Sequence, residues 1–395
     1  MDNTKNIRIL FAFRFFSSLI PAYVIERLYW EDRGMTVQMV VYTEIIYALT
    51  IVLLEVPTGV IADKWGRKNM LVLSALLGCS EFLLLLVATE FWHFALVVFL
   101  AGISRSASSG SDNAMLYDTL SLQGVAPQFE KLLGRLNACD FISAILAALC
   151  GSFLAGKFDL ELNYWLSLVS SAIALFLAFL LVEPPKGSLD TTGKEEMPSF
   201  RTYVTASLRF FRTNPNVTLV LLSGMVTGAS MSYIAEFWQL YANRLGTPVL
   251  FFGVLSAGIM LLQLPGNLLA YALLRRFSTR RLITFIMAGI TLGFIFISVS
   301  KNGVGLAAML IVCLFSGVME PLAAGYLHHR IDSAMRATID SFQSLGENVL
   351  NTVAGLGFGY FAARYDVFGG YGFIALLCFV FLIWFVGTSY KVKQI

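Results

Sequence analysis

About a dozen stretches of this 395-residue chain stay apolar for some 20 residues each, the length a helix needs to cross the hydrocarbon of a bilayer. They run roughly over 7–30, 37–61, 69–90, 93–118, 134–156, 163–182, 216–242, 248–274, 282–300, 303–327, 337–362 and 368–390. Inside hydrocarbon every backbone N–H and C=O must be satisfied within the protein, and for single apolar runs of this length that means α-helix. Composition excludes a water-soluble globule: hydrophobic residues are 57% of the chain and charged ones 13%, too little polar surface to keep it dispersed. The expectation is an all-α membrane protein with twelve transmembrane helices. The first run has no small-residue cleavage site after its apolar core and reads as a retained helix. Cys79, Cys139, Cys150, Cys313 and Cys378 lie inside apolar runs without C-x-x-C spacing, and read as packing residues.

Basic residues set the expected orientation, because Lys and Arg collect on the cytoplasmic side. With the N-terminus inside, the inner segments hold 20 of the 28 Lys and Arg and the outer ones 6, leaving Arg14 and Arg105 within the membrane. Both termini are then cytoplasmic. One long polar stretch, residues 183–215, contains EPPKGSLDTTGKEEMPS and reads as a flexible linker. It divides the chain into two six-helix bundles, residues 1–182 and 216–395. The bundles look related: LAGKFD (Leu154 to Asp159) and FAARYD (Phe361 to Asp366) share their aromatic, basic and acidic order, and 19 residues before each terminal aspartate stand Asp140 and Glu347.

Between the second and third runs the chain reads EVPTGVIADKWGRK. Here Gly59 would let helices approach closely, Gly66 would permit a tight turn, and Arg67 and Lys68 would hold the loop at the cytoplasmic face. Asp63 can accept hydrogen bonds from a neighbouring helix N-terminus. The loop resembles the G-x-x-x-D-x-x-G-R-[RK] signature of major facilitator transporters, with Gly59, Asp63, Gly66, Arg67 and Lys68 on the pattern. That resemblance implies two pseudo-symmetric bundles and alternating access. It also implies a gating loop that engages an acid at the cytoplasmic end of the fourth helix, for which Asp118 is the matching residue.

Ionisable residues within apolar runs each cost about 2.5–3.5 kcal/mol to insert, so they are kept where they are paired or wet. Ten fall there: Arg14, Glu44, Glu55, Glu81, Arg105, Asp112, Asp140, Glu236, Glu320 and Glu347. Arg105 and Asp112 are seven apart, and Glu44 and Glu55 eleven apart, so each pair would share a helix face. Eight acids against two arginines cannot all be ionised in a low dielectric, which favours proton coupling and a cationic substrate. Asp112, Asp140 and Glu347 are the proton-coupling candidates. Substrate-cavity candidates are Arg14, Glu44, Arg105, Glu236, Trp238, Gln239 and Glu320, the aromatic neighbours of Glu236 suiting an organic cation or, alternatively, an interfacial belt. Glu55 and Glu320 precede or adjoin prolines and could instead satisfy backbone freed at kinks, Glu81 reads as a packed or interfacial acid, and Glu26 and Arg27 are expected to be solvated at the outer face. The His328–His329 pair reads as a solvated loop.

The function expected is secondary active transport, with proton-coupled export of a small amphiphilic or cationic compound. A proton-coupled uptake permease and a non-transporting membrane receptor are the alternatives. Gly110, five residues after Arg105 where the antiporter pattern of the family has four, and the proline-free fifth helix depart from that pattern, which leaves the direction of transport open. Neither a phosphate-cradling G-x-x-x-x-G-K-[ST] loop nor a catalytic triad or metal cluster is legible, so ATP drive, enzymatic activity and a cofactor are not expected. The expected partners are a small-molecule substrate and the lipid bilayer, with no nucleic acid; the expected state is a monomer in the plasma (inner) membrane.

Overall fold

In the computed structural model the chain is described over residues 3–184, 213–328 and 333–390. The central part of the expected linker and His329 lie outside the described residues, as do the side chains of Asp63 and His328. The described elements are helices, in the order α1 (Asn3–Ser18), α2 (Glu26–Asp32), α3 (Val37–Trp65), α4 (Arg67–Val87), α5 (Phe91–Ser108), α6 (Ser111–Leu122), α7 (Phe129–Ala155) and α8 (Leu160–Leu180). There follow α9 (Pro215–Arg244), α10 (Phe252–Leu261), α11 (Gln263–Arg276), α12 (Thr279–Val299), α13 (Gly303–His328) and α14 (Ser333–Ser389), with short 3-10 turns between some of them.

Eleven described segments are long and apolar enough to cross a membrane, and the last, Gly346–Ser389, is two crossings in one. It breaks at Tyr365 and Asp366, where Asp366 takes φ 56°. There the Asp366 carboxylate accepts the Val367 N–H at 2.8 Å, at the start of the final helix. Asp159 stands at the equivalent place, the residue before α8. The matching aspartates of the two repeated segments thus begin the sixth helix of their halves.

The chain divides into two compact units: Met1–Leu189 with Thr247–Ala257, and Asp190–Gly246 with Gly258–Ile395. The short stretch Thr247–Ala257 joins the first unit because Gly253 packs on α7, where an added Cβ would lie 2.6 Å from the Ala148 carbonyl.

Helix α12 shows why these units need a bilayer. Ile283, Ile286, Met287, Ile290, Phe294 and Ile297, at i, i+3, i+4, i+7, i+11 and i+14 along one helix face, are buried in the second unit. On the other face Phe285, Leu292, Phe296 and Val299 are 52–73% exposed. A contiguous apolar face of that kind would drive aggregation in water and is at home against lipid tails. The first unit has its own core, where Leu10, Phe13, Leu71, Met115, Leu116, Leu120 and Leu136 meet.

Two local expectations fail. The fourth apolar run is broken between α5 and α6 by Gly110 at φ +75°, so Arg105 and Asp112 do not share one continuous helical face. At Pro57, Glu55 is exposed instead of turning to the backbone, and the hydroxyl of neighbouring Thr58 lies within hydrogen-bond distance of the carbonyls of Leu54 (2.7 Å) and Ser106 (3.0 Å).

Candidate functional site

Arg14, on α1, lies between two helices that each present an aspartate. Its Nε donates to both oxygens of Asp140 on α7, at 3.0 and 3.2 Å, and its Nη2 adds an ion pair to the same carboxylate. The Nη1 atom pairs with Asp112 on α6. The three side chains are 17–21% exposed. Burying charge at this level is tolerable because the guanidinium fork matches the carboxylate geometry.

The surrounding backbone is held as firmly. Helix α1 ends at Ser18, so its last carbonyls lack intrahelical donors. The Ser143 hydroxyl donates to the Phe15 carbonyl at 2.6 Å, and Ser170 to that of Phe16 at 2.9 Å. Ser143 is one turn from Asp140 on α7, so a single helix face both pairs Arg14 and caps the strand of carbonyls that follows it. Asp112 sits in the first turn of α6, where the positive helix end favours a carboxylate, and its Oδ1 accepts the Asn113 N–H at 2.8 Å.

A second constellation forms at the start of α4. Gly66 takes φ +104°, the tight turn expected of it. Arg67 then reaches α6, donating to the Ala114 carbonyl at 2.8 Å and pairing with Asp118. Glu183, just beyond α8, places its two oxygens on the N–H groups of Arg67 (2.8 Å) and Lys68 (2.6 Å). It therefore caps a helix 115 residues away in sequence. Its own segment is pinned by Asn6, which exchanges hydrogen bonds with Val182 at 3.0 and 3.1 Å and donates to Thr119 at 3.2 Å. Gly59 makes no close helix contact among the described residues: a Cβ there would meet nothing within 4 Å.

The remaining candidates disperse. Arg105, Glu55 and Glu320 are exposed and join neither constellation. Glu44 pairs with Arg27 at 2.6 Å. Arg27 is not solvated, being 4% exposed, and it lies 4.5 Å over the Trp30 ring. It is thus a third interior arginine, and its neighbour Glu26, 3.8 Å away and 21% exposed, joins it inside.

In the second unit Trp238 and Gln239 are buried, while Glu236 is half-buried. Tyr241 is fully buried and donates to the Ser300 carbonyl at 3.0 Å. This aromatic stretch is core packing, not an interfacial belt. Around it Tyr233, Phe237 and Phe358 stack with centroids 4.6–6.5 Å apart, and Tyr371 meets Phe358 edge-on at 5.5 Å. Glu347 approaches Gly228, where an added Cβ would lie 3.9 Å from the carboxyl.

Glu183 and Arg27 were the residues that sequence reasoning misplaced. Glu183 looks like the first charge of a polar linker, and Arg27 falls at the outer end of the first apolar run. For the α5–α6 break a signal existed, the small-residue stretch ending in Gly110.

Two units of long apolar helices, the first with paired charges in its interior, define a multi-pass membrane protein. The chain belongs to the Major Facilitator Superfamily, whose sequence model matches residues 9–355; members are secondary transporters and not enzymes. Over 222 residues it is 26% identical to the class B tetracycline resistance protein of Escherichia coli, covering 55% of this chain and 52% of that protein. It thus spans about half the length of that relative. It is also 26% identical to multidrug resistance protein MdtG of Klebsiella pneumoniae (strain 342), across 80% of this chain and 72% of the relative. The crystal structure of the nucleoside transporter NupG superposes over the full length of both chains with a TM-score of 0.78 at 15% identity. At that identity the likeness is one of fold.

Proposed function

We propose that this carrier works by alternating access and exchanges protons for a small cationic or amphiphilic compound, in the direction of export. The observation that carries the reading is the Arg14–Asp112–Asp140 triad. With both carboxylates ionised the triad has a net charge of −1. One positive charge settles it, and that charge can be a proton or a cationic substrate, so the two compete for one place. Competition for a single charge is the simplest physical basis of antiport. Asp112 is the coupling acid, because a single guanidinium nitrogen holds it whereas Asp140 is held by two. Protonating Asp112 releases it from Arg14 without breaking the Asp140 fork.

The Arg67–Asp118 pair and the Glu183 cap serve as the gate, together with Asp63. With basic loops inside, that gate is cytoplasmic, as are both termini, and the host membrane is the plasma (inner) membrane. Export is supported by the relatives that are resistance proteins for tetracycline and multiple drugs. In the second unit Glu236 is the substrate-contact candidate and Glu347 a further proton-coupling candidate.

The test is a reconstituted one. Proteoliposomes with an imposed pH gradient should accumulate the lipophilic cation tetraphenylphosphonium against its gradient, and Asp112→Asn should abolish that accumulation while sparing substrate-for-substrate exchange. Gradient-driven accumulation of anions alone, or coupling that survives Asp112→Asn, would overturn the assignment.

A further inference from the structure

The end of α4 remote from Arg67 holds a second group of charges that the triad does not use. Glu81 stands six residues before the end of α4 at Val87, about 9 Å inside the span at 1.5 Å per residue. Glu26, beside it, is within electrostatic range. The cation of this region, Arg27, is already committed: its Nη2 lies 2.6 Å from Glu44 and its Nη1 3.8 Å from Glu26. Two carboxyl groups therefore share one guanidinium, and Glu81 is the third carboxyl of the group. No ion pair or hydrogen bond reaches the Glu81 carboxyl among the described residues.

A second observation points to the same place. Tyr164, on α8, is completely buried, and its hydroxyl has no hydrogen-bond partner among the described residues. That hydroxyl interacts electrostatically with Glu26, Arg27 and Glu81. Its ring cannot swing away, because it stacks on Tyr29 with centroids 3.7 Å apart and meets Phe82 edge-on at 6.3 Å. A buried donor left without an acceptor costs about 1–3 kcal/mol. Such a donor is matched to a state in which a neighbouring carboxyl is ionised and can accept from it.

We infer that Glu81, flanked by Glu26 and the Tyr164 hydroxyl, is a second proton-binding site of the first unit, separate from the Arg14 triad. With the proton in place Glu81 is neutral, and Arg27 faces only the two carboxylates of Glu44 and Glu26. When the proton leaves, Tyr164 donates to the carboxylate that remains. The other groups facing the site are Tyr23, which is electrostatically coupled to Glu81, Glu26 and Tyr47, and Glu44 and Tyr47 from α3. Helix α5 carries its titratable groups, His93 and Arg105, near its two ends, and His93 Nδ1 is taken up by the N–H groups of Thr89 and Glu90 at 3.3 Å. The use of this proton as a loading step rests on the antiport reading; its existence does not.

The experiment reads the carboxyl directly. The purified full-length carrier in detergent is treated with N,N′-dicyclohexylcarbodiimide, which modifies protonated carboxyls in apolar surroundings, and adducts are mapped by mass spectrometry between about pH 5.5 and 8.5. An adduct is expected at Glu81, rising as pH falls, and absent in Glu81→Gln. In Glu26→Gln the loss of a like charge should move the Glu81 profile to lower pH by about one unit. Tyr164→Phe, which removes the donor matched to the ionised form, should move it to higher pH. A Glu81 that stays unmodified at low pH in a monodisperse preparation, while other carboxyls react, overturns the site, as does a profile indifferent to both neighbours. Failure of proton-driven transport with this labelling intact overturns the export reading and leaves the site standing.

Discussion

Arg14 on α1 and Gly228 on α9 occupy comparable places in the two units. Each lies beside the acid found 19 residues before the aspartate that ends the repeated segment: Asp140 in the first unit, Glu347 in the second. The first helix of one unit thus supplies a guanidinium where the first helix of the other supplies no side chain at all. What surrounds them differs in the same sense. The first unit organises its interior with the Arg14 triad, the Arg27–Glu44 pair and the Arg67–Asp118 pair. The described core of the second is a stack of Tyr233, Phe237, Phe358 and Tyr371, its rings further tied by the Tyr371 hydroxyl donating to the Tyr233 carbonyl at 3.2 Å. Its Arg244–Asp366 pair, 2.6 Å apart, sits at the kink before the last helix and is 28–40% exposed. Among the described residues the two halves thus share a helix plan, the first displaying ion pairs on three arginines and the second an aromatic stack.

The largest effect is expected at Arg14. Arg14→Ala leaves two neighbouring carboxylates without their cation, a loss of about 3–5 kcal/mol by the usual cost of breaking a buried pair. It should lower the thermal midpoint sharply and abolish transport, and a carrier that keeps both would mean that the triad is not what holds α1, α6 and α7 together. Arg14→Lys should rescue folding better than transport, since an ammonium cannot reproduce the two-aspartate fork.

Next in size is the contrast between Asp112 and Glu347. Asp112→Asn should reduce pH-driven accumulation by about tenfold or more, and Glu347→Gln by about twofold or less, read as initial rates in the same proteoliposomes. Equal losses would erase the proposed division between units.

A smaller effect belongs to Glu183. Replacing it with Ala uncaps α4 and should cost about 1 kcal/mol, the usual worth of a helix cap. Circular dichroism melts in detergent would show a modest drop, with coupling stoichiometry unchanged. A change in stoichiometry would move Glu183 from the gate to the coupling machinery.

Much of the fold could be read before any coordinates. Run length identified the crossings, and the Asp159 and Asp366 repeat marked the ends of the fifth and eleventh helices, next to which the structure begins the sixth helix of each half. The turn at Gly66 and the link from Arg67 to Asp118 followed from the loop signature. The candidate site was only half legible. Arg14, Asp112 and Asp140 stood out singly as costly residues in apolar runs, yet Asp112 was matched with Arg105 through an unbroken helix that Gly110 interrupts.

The missing information is of one kind. Apolar run length, basic loop bias and turn chemistry are local quantities, because the bilayer and the backbone act on each segment separately, and they specify which segments become helices. Pairing across helices is not local. Arg14 is 98 residues from Asp112 and 126 from Asp140, and Arg67 and Lys68 meet a carboxylate more than a hundred residues away. The helix faces that bring these groups together are chosen by packing against every neighbour at once. So the chain's apolar pattern decided that charge would be expensive inside this protein, and the tertiary structure decided which charges would meet to offset that cost.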